Sequence, residues 1–255
     1  PAPRVRARKD LGARMIVVSL HEVPARILAV PADVTAEAIV PWARARTLDL
    51  LRGRAADFLG MAEVQRLLDE LEQLAPATVR NVVPKPVSLV LLTDVLRRLV
   101  EEQMSIRDLR GILESLSSVA STEKDPLNLA EYCRSQMRRA ITFRLTAGEG
   151  QLDVVLLDSL IEDTIRRAVT RTPAGAFLTL APQAARDVLT SIRRAVAAVP
   201  AGAGTEPPVI LTQPDIRRFV RKLVESELPD VAVVSFAELL PEVSLKPVAR
   251  ATPTA

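Results

Sequence analysis

The side chains that most often carry out catalysis or bind metal are scarce in this chain. It has one histidine, His21, and one cysteine, Cys133, among 255 residues. A zinc site or a catalytic dyad needs at least two such groups close together. His21 is therefore interpreted as a surface or core residue at a strand end. Cys133, at helical spacing between Ala130 and Met137, is predicted to be a small core residue, and a lone cysteine excludes an internal disulfide.

Four carboxylates lie close enough in sequence to hold a cation in principle: Asp153, Asp158, Glu162 and Asp163. Most of them fall where a predicted helix begins, and negative charge at a helix N-terminus stabilises the helix by itself. The glycines offer no phosphate-binding pattern, because GEG and GAG lack the following glycine and helix, and Gly-Lys-Ser/Thr does not occur. We predict no metal site, no cofactor and no enzymatic activity.

The stretch SIRDLRGILE combines an apolar helix face with exposed charge. Ser105 and Asp108 have the spacing of a capping box, which predicts a helix that begins at Ser105. Folding then accounts for the apolar residues of the stretch and its continuation: Ile106, Leu109, Ile112, Leu113 and Leu116. Left over are Arg107, Arg110 and Glu114, with the two arginines one helical turn apart. These three form either a solvated helix face or a surface that contacts another protein.

A helix, a short turn and a capped helix also describe a helix-turn-helix, so a monomeric DNA-binding regulator is the alternative function. Acidic residues oppose it: Asp108 and Glu114 lie beside the two arginines, and Glu101 and Glu102 end the preceding helix, where they would face phosphates. The net charge of +3 comes from a nearly balanced 34 basic and 31 acidic residues. Aromatic residues, at 3% of the chain, leave few rings to stack on bases. We expect no nucleic-acid partner.

The elements that position these residues fall into an α+β, multi-subdomain fold. Residues 1–12 are predicted to be a basic arm or linker, because PAPRVRARKD has two prolines and no apolar period. Residues 13–83 are predicted to form an N-terminal α/β subdomain, partly ferredoxin-like. It contains two adjacent strands in MIVVSL and RILAV, which are too few to make a sheet unaided, then a helix over 35–59 and another in MAEVQRLLDELEQLAP, where Pro76 is expected to end the helix.

The rest of the chain is predicted to form a helical and then an α/β subdomain. Residues 84–145 contain three amphipathic helices, the third opening at Asp125 with proline in its first turn. The stretch TAGEG is predicted to be a boundary. After it, residues 151–240 are predicted to contain the order strand, helix, helix, strand, helix, strand, with AGAGTEPP as a loop. This order predicts a small sheet covered by helices. Residues 241–255 carry three prolines and are predicted to be an extended or mobile tail.

No stretch approaches the roughly 18 apolar residues of a membrane span, so the chain as given is expected to be soluble. It starts at Pro1 rather than at methionine, which is typical of a piece of a longer protein.

Two long stretches carry a resemblance to a known family. The longer one is VQRLLDELEQLAPATVRNVVPKPVSLVLLTDVLRRLVEEQMSIRDLRGILESL, followed by KDPLNLAEYCRSQMRRAI. It resembles the cytosolic part of the export-gate proteins of type III secretion systems, the FlhA/SctV family. PPVILTQPDIRRFVRKLVESELPDVAVVSFAEL is similar to the last subdomain of that family. The resemblance covers roughly residues 57–240 and depends on length and continuity rather than on a short motif.

The resemblance implies a protein at the cytoplasmic face of the bacterial inner membrane. Members of the family form a nonameric cytosolic ring that receives chaperone-bound substrates, the gatekeeper protein and the stalk of the export ATPase. It implies that residues 84–145 build the ring, with Arg107, Arg110 and Glu114 pairing with a neighbouring subunit. It further implies that residues 151–240 help to form a cleft that faces the substrate.

The chain departs from the family in two places. The membrane half is missing, although the basic RVRARK suits a linker on the cytoplasmic side of a membrane. In addition, only PADVTAEAIVPWARAR separates the early strands from the following helices, so the small subdomain that the family inserts there is predicted to be reduced or absent. In flagellar members that insertion contributes to chaperone docking.

Overall fold

A computed structural model describes residues 4–7, 9–20, 22–172, 175–199 and 208–253. His21 and nearly all of the predicted AGAGTEPP loop lie outside the described residues. The chain divides into two units, residues 1–60 and residues 61–255. Helices and small sheets alternate along it, which confirms the predicted α+β class.

The first unit contains the two predicted strands as an antiparallel hairpin, β1 (Met15–Leu20) and β2 (Val23–Ala29). Helix α1 (Ile39–Gly53) follows, with its proline in the first turn, where a missing N–H costs no helical hydrogen bond. A short 3₁₀ helix spans Ala55–Phe58. Among the described residues of this unit, four apolar side chains are buried: Leu28, Val30, Ala56 and Leu59.

The second unit begins with α2 (Met61–Leu74) and α3 (Pro76–Val82). The proline expected to stop α2 instead occupies the first turn of α3, a position that proline favours. Both helices contact the helical block that follows them. The division between the two units at residue 60 falls within the predicted N-terminal subdomain, residues 13–83, whose extent stays a prediction. Sequence periodicity shows that a helix has an apolar face but not which neighbour covers it.

Four helices, rather than the predicted three, follow: α4 (Leu89–Glu101), α5 (Leu109–Val119), α6 (Pro126–Gln136) and α7 (Arg138–Thr146). The extra helix arises because Met137 has non-helical dihedrals, which divide one predicted helix into α6 and α7. The predicted cap of α6 is confirmed, since Asp125 Oδ1 accepts a hydrogen bond of 2.9 Å from Leu127 N.

The predicted capping box at the start of α5 is wrong. The helix begins at Leu109, and Asp108 is its cap, accepting a hydrogen bond of 2.9 Å from Gly111 N. Ser105 lies in the preceding loop, where its hydroxyl accepts a hydrogen bond of 3.4 Å from Arg107 N. A Cβ atom on Gly111 would lie 2.5 Å from the Asp108 carboxylate, so a larger residue at this position would force the capping carboxylate to shift.

The remaining elements form the C-terminal part of the second unit. Its strands are β3 (Gln151–Leu157), β4 (Val169–Thr172), β5 (Gly175–Leu178), β6 (Val209–Thr212), β7 (Val233–Ser235) and β8 (Ser244–Ala251). Its helices are α8 (Ser159–Arg167), α9 (Pro182–Ala197), α10 (Arg217–Val224) and a 3₁₀ helix at Phe236–Glu238. A parallel sheet has the order β7-β6-β3-β8, and β4 and β5 form a separate hairpin that the sequence did not predict.

The predicted tail is also corrected by the structure. Strand β8 pairs with β3 along its whole length, from Gln151 opposite Ser244 to Leu157 opposite Ala251. The register shifts where Pro247 lies, as expected for a residue without an N–H in an edge strand. Residues 244–251 are therefore part of the C-terminal sheet.

Candidate functional site

Five ionisable side chains meet where the helical block contacts the C-terminal sheet. We call them the salt-bridge cluster: Glu102, Glu131, Arg134, Arg217 and Glu238. Glu102 follows the last turn of α4, and Glu131 and Arg134 lie on α6. Arg217 is the first residue of α10, and Glu238 ends the 3₁₀ helix after β7. The cluster thus joins parts of the chain that are more than 80 residues apart.

Arg217 is the centre of the cluster and is fully buried. Its guanidinium donates to both carboxylate oxygens of Glu102, at 2.6 and 2.8 Å, and to both oxygens of Glu131, one of them at 2.6 Å. Its Nη1 also donates to the carbonyl oxygen of Val233 at 3.1 Å. Two bidentate pairs use the planar donor geometry that arginine has and lysine lacks.

Arg134 forms the second half of the cluster, with its side chain 3% exposed. Its Nε donates to Glu238 Oε1, and its Nη1 lies 3.1 Å from Glu102 Oε2. The other oxygen of Glu238 accepts a hydrogen bond of 2.7 Å from Ser235 N. Glu102 therefore lies between two guanidinium groups, and Glu238 links the cluster to the backbone at the end of β7.

The surrounding charges keep Glu102 and Arg217 ionised. Burial by itself would raise the pKa of Glu102, but the charges of Arg134 and Arg217 and the hydrogen bond from Arg217 hold that pKa below its ordinary value. Burial alone would lower the pKa of Arg217, but Glu131 and Glu102 hold it well above its ordinary value. Groups held charged in this way bind and orient; they are poorly suited to exchange protons near neutral pH.

This cluster predicts that acid destabilises the fold. The folded-state pKa of Glu102 lies below the ordinary value of 4.5, so the ionised carboxylate stabilises the fold above pH 4.5. That contribution is lost as the pH falls from about 4.5 through the folded-state pKa. We expect the unfolding free energy of the wild type to exceed that of Glu102→Gln at pH 7, with the gap narrowing towards pH 3. Urea titrations between pH 7 and pH 3 measure the two unfolding free energies. A difference between wild type and Glu102→Gln that does not change with pH would contradict a lowered pKa of Glu102.

A cleft of about 940 Å³ opens beside the cluster, between the start of α6 and the C-terminal part. Its walls include Lys124 and Asp125 from the helical side and Arg171, Asp215 and Arg218 from the other side. Nη1 of Arg218 lies 3.8 Å from Asp125 Oδ2, and its guanidinium lies 4.8 Å from the centre of the Phe219 ring. The charged walls of both signs distinguish this open groove from the concave, mostly apolar pockets that hold small molecules.

The three predicted interface residues are exposed, but the structure does not place them all on one helix. Arg110 and Glu114 lie one turn apart on α5, with 2.8 Å between Nε and Oε1. Arg107 lies in the loop before α5, so the predicted helical spacing of the two arginines is wrong. The hydrogen bond and charge of Glu114 raise the pKa of Arg110 above its ordinary value. The role of these residues at an interface stays a prediction.

The structure gives Asp158, Glu162 and Asp163 each a hydrogen-bond partner. Asp158 caps α8 through Leu160 N at 3.0 Å, and Glu162 accepts from the Thr212 hydroxyl at 2.9 Å. Asp163 pairs with Arg166, at 2.6 Å from its Nη1. No group of three or more potential metal ligands occurs among the described residues.

Cys133 lies in the core as predicted, where burial raises the pKa of its thiol to about 12. Within the described part of the chain, no helix is long and apolar enough to cross a membrane.

Sequence reasoning missed the salt-bridge cluster, although one signal was present. Arg217 lies three and seven residues before Val220 and Val224, so it falls on the apolar face of α10. A charge on an apolar helix face is a candidate for a buried ion pair. Its partners, Glu102 and Glu131, are 115 and 86 residues away, and periodicity alone does not identify them.

Comparison with known proteins identifies the family of this chain. Residues 23–244 match the FHIPEP family, which is most of the chain. The chain belongs to the FHIPEP family. This confirms the resemblance to the FlhA/SctV export-gate proteins of type III secretion.

The FHIPEP relatives are considerably longer than this chain. It is 40% identical over 204 residues to the hypersensitivity response secretion protein HrcV of Ralstonia nicotianae, covering 79% of this chain and 29% of HrcV. It is 35% identical to the low calcium response locus protein D of Yersinia pestis, covering 79% of this chain and 28% of that protein. The chain therefore spans less than a third of these relatives.

Solved structures of the family share the fold. The CdsV chain in the Chlamydia pneumoniae CdsV and CdsO complex superposes with a TM-score of 0.84 at 34% identity, covering 96% of this chain and 82% of that one. The nonameric EPEC SctV-C structure gives a TM-score of 0.74 at 31% identity, covering 88% and 64%. The EscV cytosolic domain of a type III secretion system, also nonameric, gives 0.71 at 32% identity, covering 86% and 63%.

Proposed function

We propose that this FHIPEP chain is the cytosolic docking platform of a type III secretion export gate. It assembles into a homo-oligomeric ring at the cytoplasmic face of the bacterial inner membrane. A membrane-spanning half outside this sequence attaches the ring to that membrane. The ring receives export substrates with their chaperones, the gatekeeper and the stalk of the export ATPase. One observation carries the proposal: the fold matches cytosolic domains that form nonamers and, in CdsV, a complex with CdsO.

The geometry of the second unit supports docking as the mode of action. The salt-bridge cluster ties α4 and α6 to α10 and the end of β7, so the two walls of the cleft are held at a fixed separation. A preformed surface loses little conformational entropy when a partner binds. The platform acts by positioning proteins, and no step of bond making is assigned to it.

Ring assembly is proposed to use Arg107, Arg110 and Glu114. Arg110 and Glu114 pair with each other, with 2.8 Å between Nε and Oε1. The surface therefore carries both positive and negative charge. Exposed charges of this kind contribute more to the choice and register of a partner than to affinity. The neighbouring subunit is expected to place a carboxylate opposite Arg107, which is exposed in the loop before α5.

Reversing the two arginines is expected to weaken self-association. The chain with Arg107→Glu and Arg110→Glu should stay folded, because both side chains are exposed, while its dissociation constant rises by about tenfold or more. Sedimentation velocity and mass photometry over a range of concentrations measure this. The matched control reverses two exposed arginines of α9, Arg186 and Arg193. As in the test pair, one of the two arginines, Arg193, has a carboxylate partner, Glu227. Equal association of both variants and the wild type would refute the assigned interface.

The DNA-binding alternative is tested with the same protein. The docking platform predicts no mobility shift with duplex DNA at physiological salt. A regulator predicts a shift that weakens steeply as salt increases, because each neutralised phosphate releases counterions. Ring-shaped particles of the purified chain in electron micrographs would support the platform directly.

A further inference from the structure

A second cavity, of about 240 Å³, borders the salt-bridge cluster and has no part in the docking function proposed above. Its lining comes from the end of α4, from α6 and α7, and from α10 and the loop before β7. We call it the arginine pocket, because three guanidinium groups line it: those of Arg134, Arg144 and Arg221. Pockets for drug-sized ligands measure about 300–1,000 Å³, so this smaller pocket suits a small ion rather than a nucleotide or a peptide.

Arg134 brings a buried donor without an acceptor to this pocket. Its side chain is 3% exposed, and its Nη1 lies 3.1 Å from Glu102 Oε2. The two groups attract each other as charges, but Nη1 has no hydrogen-bond acceptor among the described residues. Buried polar groups nearly always have a hydrogen-bond partner, and an exception is one sign of a bound ion. A ligand that carries acceptor oxygens would complete this site.

Arg221 adds a second guanidinium that is held in place at the pocket wall. Its Nη1 donates to the carbonyl oxygen of Val231 at 3.0 Å, and its Nη2 donates to that of Pro229 at 3.3 Å. Within the described part of the chain, Arg221 forms no ion pair. Its position is therefore fixed by backbone contacts, while its charge is not paired with a carboxylate.

Two carboxylates also line the pocket, but neither dominates its charge. Glu102 accepts two hydrogen bonds from Arg217, at 2.6 and 2.8 Å, so its charge is compensated within the cluster. Asp230 is exposed, so water screens its charge. The other cluster carboxylates, Glu131 and Glu238, are not among the described residues of the lining. Three guanidinium groups against two carboxylates leave the lining with a net charge of +1.

We propose that the arginine pocket binds phosphate, either as inorganic phosphate or as the phosphate group of a small metabolite. Guanidinium groups bind phosphate through charge-assisted hydrogen bonds in a geometry that matches its oxygens. The donors lie on two helices, Arg134 on α6 and Arg221 on α10. A tetrahedral anion presents oxygens outside a single plane and so contacts both helices better than a planar carboxylate does. The bound anion joins the helical block to the C-terminal part, and this role is independent of the proposed ring.

Titration of the full chain with dilute sodium phosphate, at constant ionic strength and pH 7, tests the inference. Isothermal titration calorimetry is expected to show saturable binding of phosphate. Arg221→Gln is expected to raise the dissociation constant about tenfold or more, because a charge-assisted contact is lost. The matched control is Lys222→Gln, which removes the same charge from the next residue of α10, where the side chain is 77% exposed. It is expected to bind phosphate like the wild type.

Two further variants keep the test decisive if Arg221→Gln does not fold. Arg221→Lys keeps the charge but not the planar donor geometry, so its dissociation constant is expected to lie between those of the wild type and Arg221→Gln. Asp230→Asn removes a negative charge from the lining and is expected to bind phosphate at least as tightly as the wild type. Far-UV circular dichroism shows whether each variant is folded.

Other anions identify the ligand class. Sodium acetate is expected to bind more weakly than phosphate, because its two oxygens lie in one plane. Tighter binding of glycerol 3-phosphate than of phosphate would assign the pocket to a phosphate ester, and weaker binding would assign it to the free ion.

Three results would overturn the inference. The first is the absence of saturable phosphate binding to the wild type. The second is an equal loss of binding in Arg221→Gln and Lys222→Gln, which would mean that phosphate is attracted only by the general charge of α10. The third is acetate that binds as tightly as phosphate. Because none of these measurements requires self-association, they leave the proposed ring untouched.

Discussion

The chain with Arg217→Ala is expected to lose about 3–5 kcal/mol of unfolding free energy, the range found when one partner of a buried ion pair is removed. Without the guanidinium, Glu131 loses its counter-charge, and Glu102 keeps Arg134 alone. The Val233 carbonyl also loses a donor. Because domains are stabilised by only about 5–15 kcal/mol, this single change approaches the limit of folding.

Urea denaturation at pH 7 measures this effect. The control lies on the same helix: Lys222 is 77% exposed and pairs with Glu225 at the surface. Lys222→Ala is expected to change the unfolding free energy by no more than about 0.5 kcal/mol, as exposed ion pairs contribute little. If Arg217→Ala also stays within about 1 kcal/mol of the wild type, then Arg217 is not the centre of a buried cluster.

A double variant tests the physical cause of the loss. Arg217→Met combined with Glu131→Gln removes the guanidinium and the carboxylate that it mainly compensates, while Glu102 keeps Arg134 at 3.1 Å. Since no unpaired charge is then buried at Glu131, this chain is expected to be more stable than Arg217→Ala. A double variant that is less stable than the single one would show that packing or hydrogen bonding, not uncompensated charge, dominates.

The features that sequence predicted well are those whose determinants lie within one turn or one strand. Asp125 caps its helix as expected, because the donor is two residues away. Strands β3 and β6 were found because strands inside a parallel sheet are apolar along their length. The cap of α5 was placed wrongly because Ser105 and Asp108 are both good caps, and the choice depends on how the loop approaches the helix.

The features that sequence missed depend on distant partners. The salt-bridge cluster joins residues from four elements, and nothing near Arg217 in sequence specifies Glu102 or Glu131. Residues 241–255 were predicted to be a tail because they contain three prolines and no apolar period. Edge strands are the elements that tolerate such composition, since only one of their sides must pair.

The role of β8 leads to the second large expected effect. A chain that ends at Val243 should lose more than about 4 kcal/mol of unfolding free energy, at roughly 1 kcal/mol net for each lost ladder hydrogen bond. It would expose the edge of β3 along the whole paired segment. It would also remove buried Ala251, whose carbonyl oxygen accepts a hydrogen bond of 2.9 Å from Asp158 N at the start of α8.

Urea denaturation of a series of truncated chains, followed by far-UV circular dichroism, measures how much β8 stabilises the fold. A chain that ends at Thr252 keeps all of β8 and is expected to unfold at the same urea concentration as the full chain. The chain that ends at Val243 should unfold at a much lower concentration or fail to fold, because an uncovered strand in a parallel sheet also invites aggregation. If both truncations match the full chain, residues 244–251 contribute no stability. The sheet would then be held by β7, β6 and β3 alone, contrary to the register of β8 on β3.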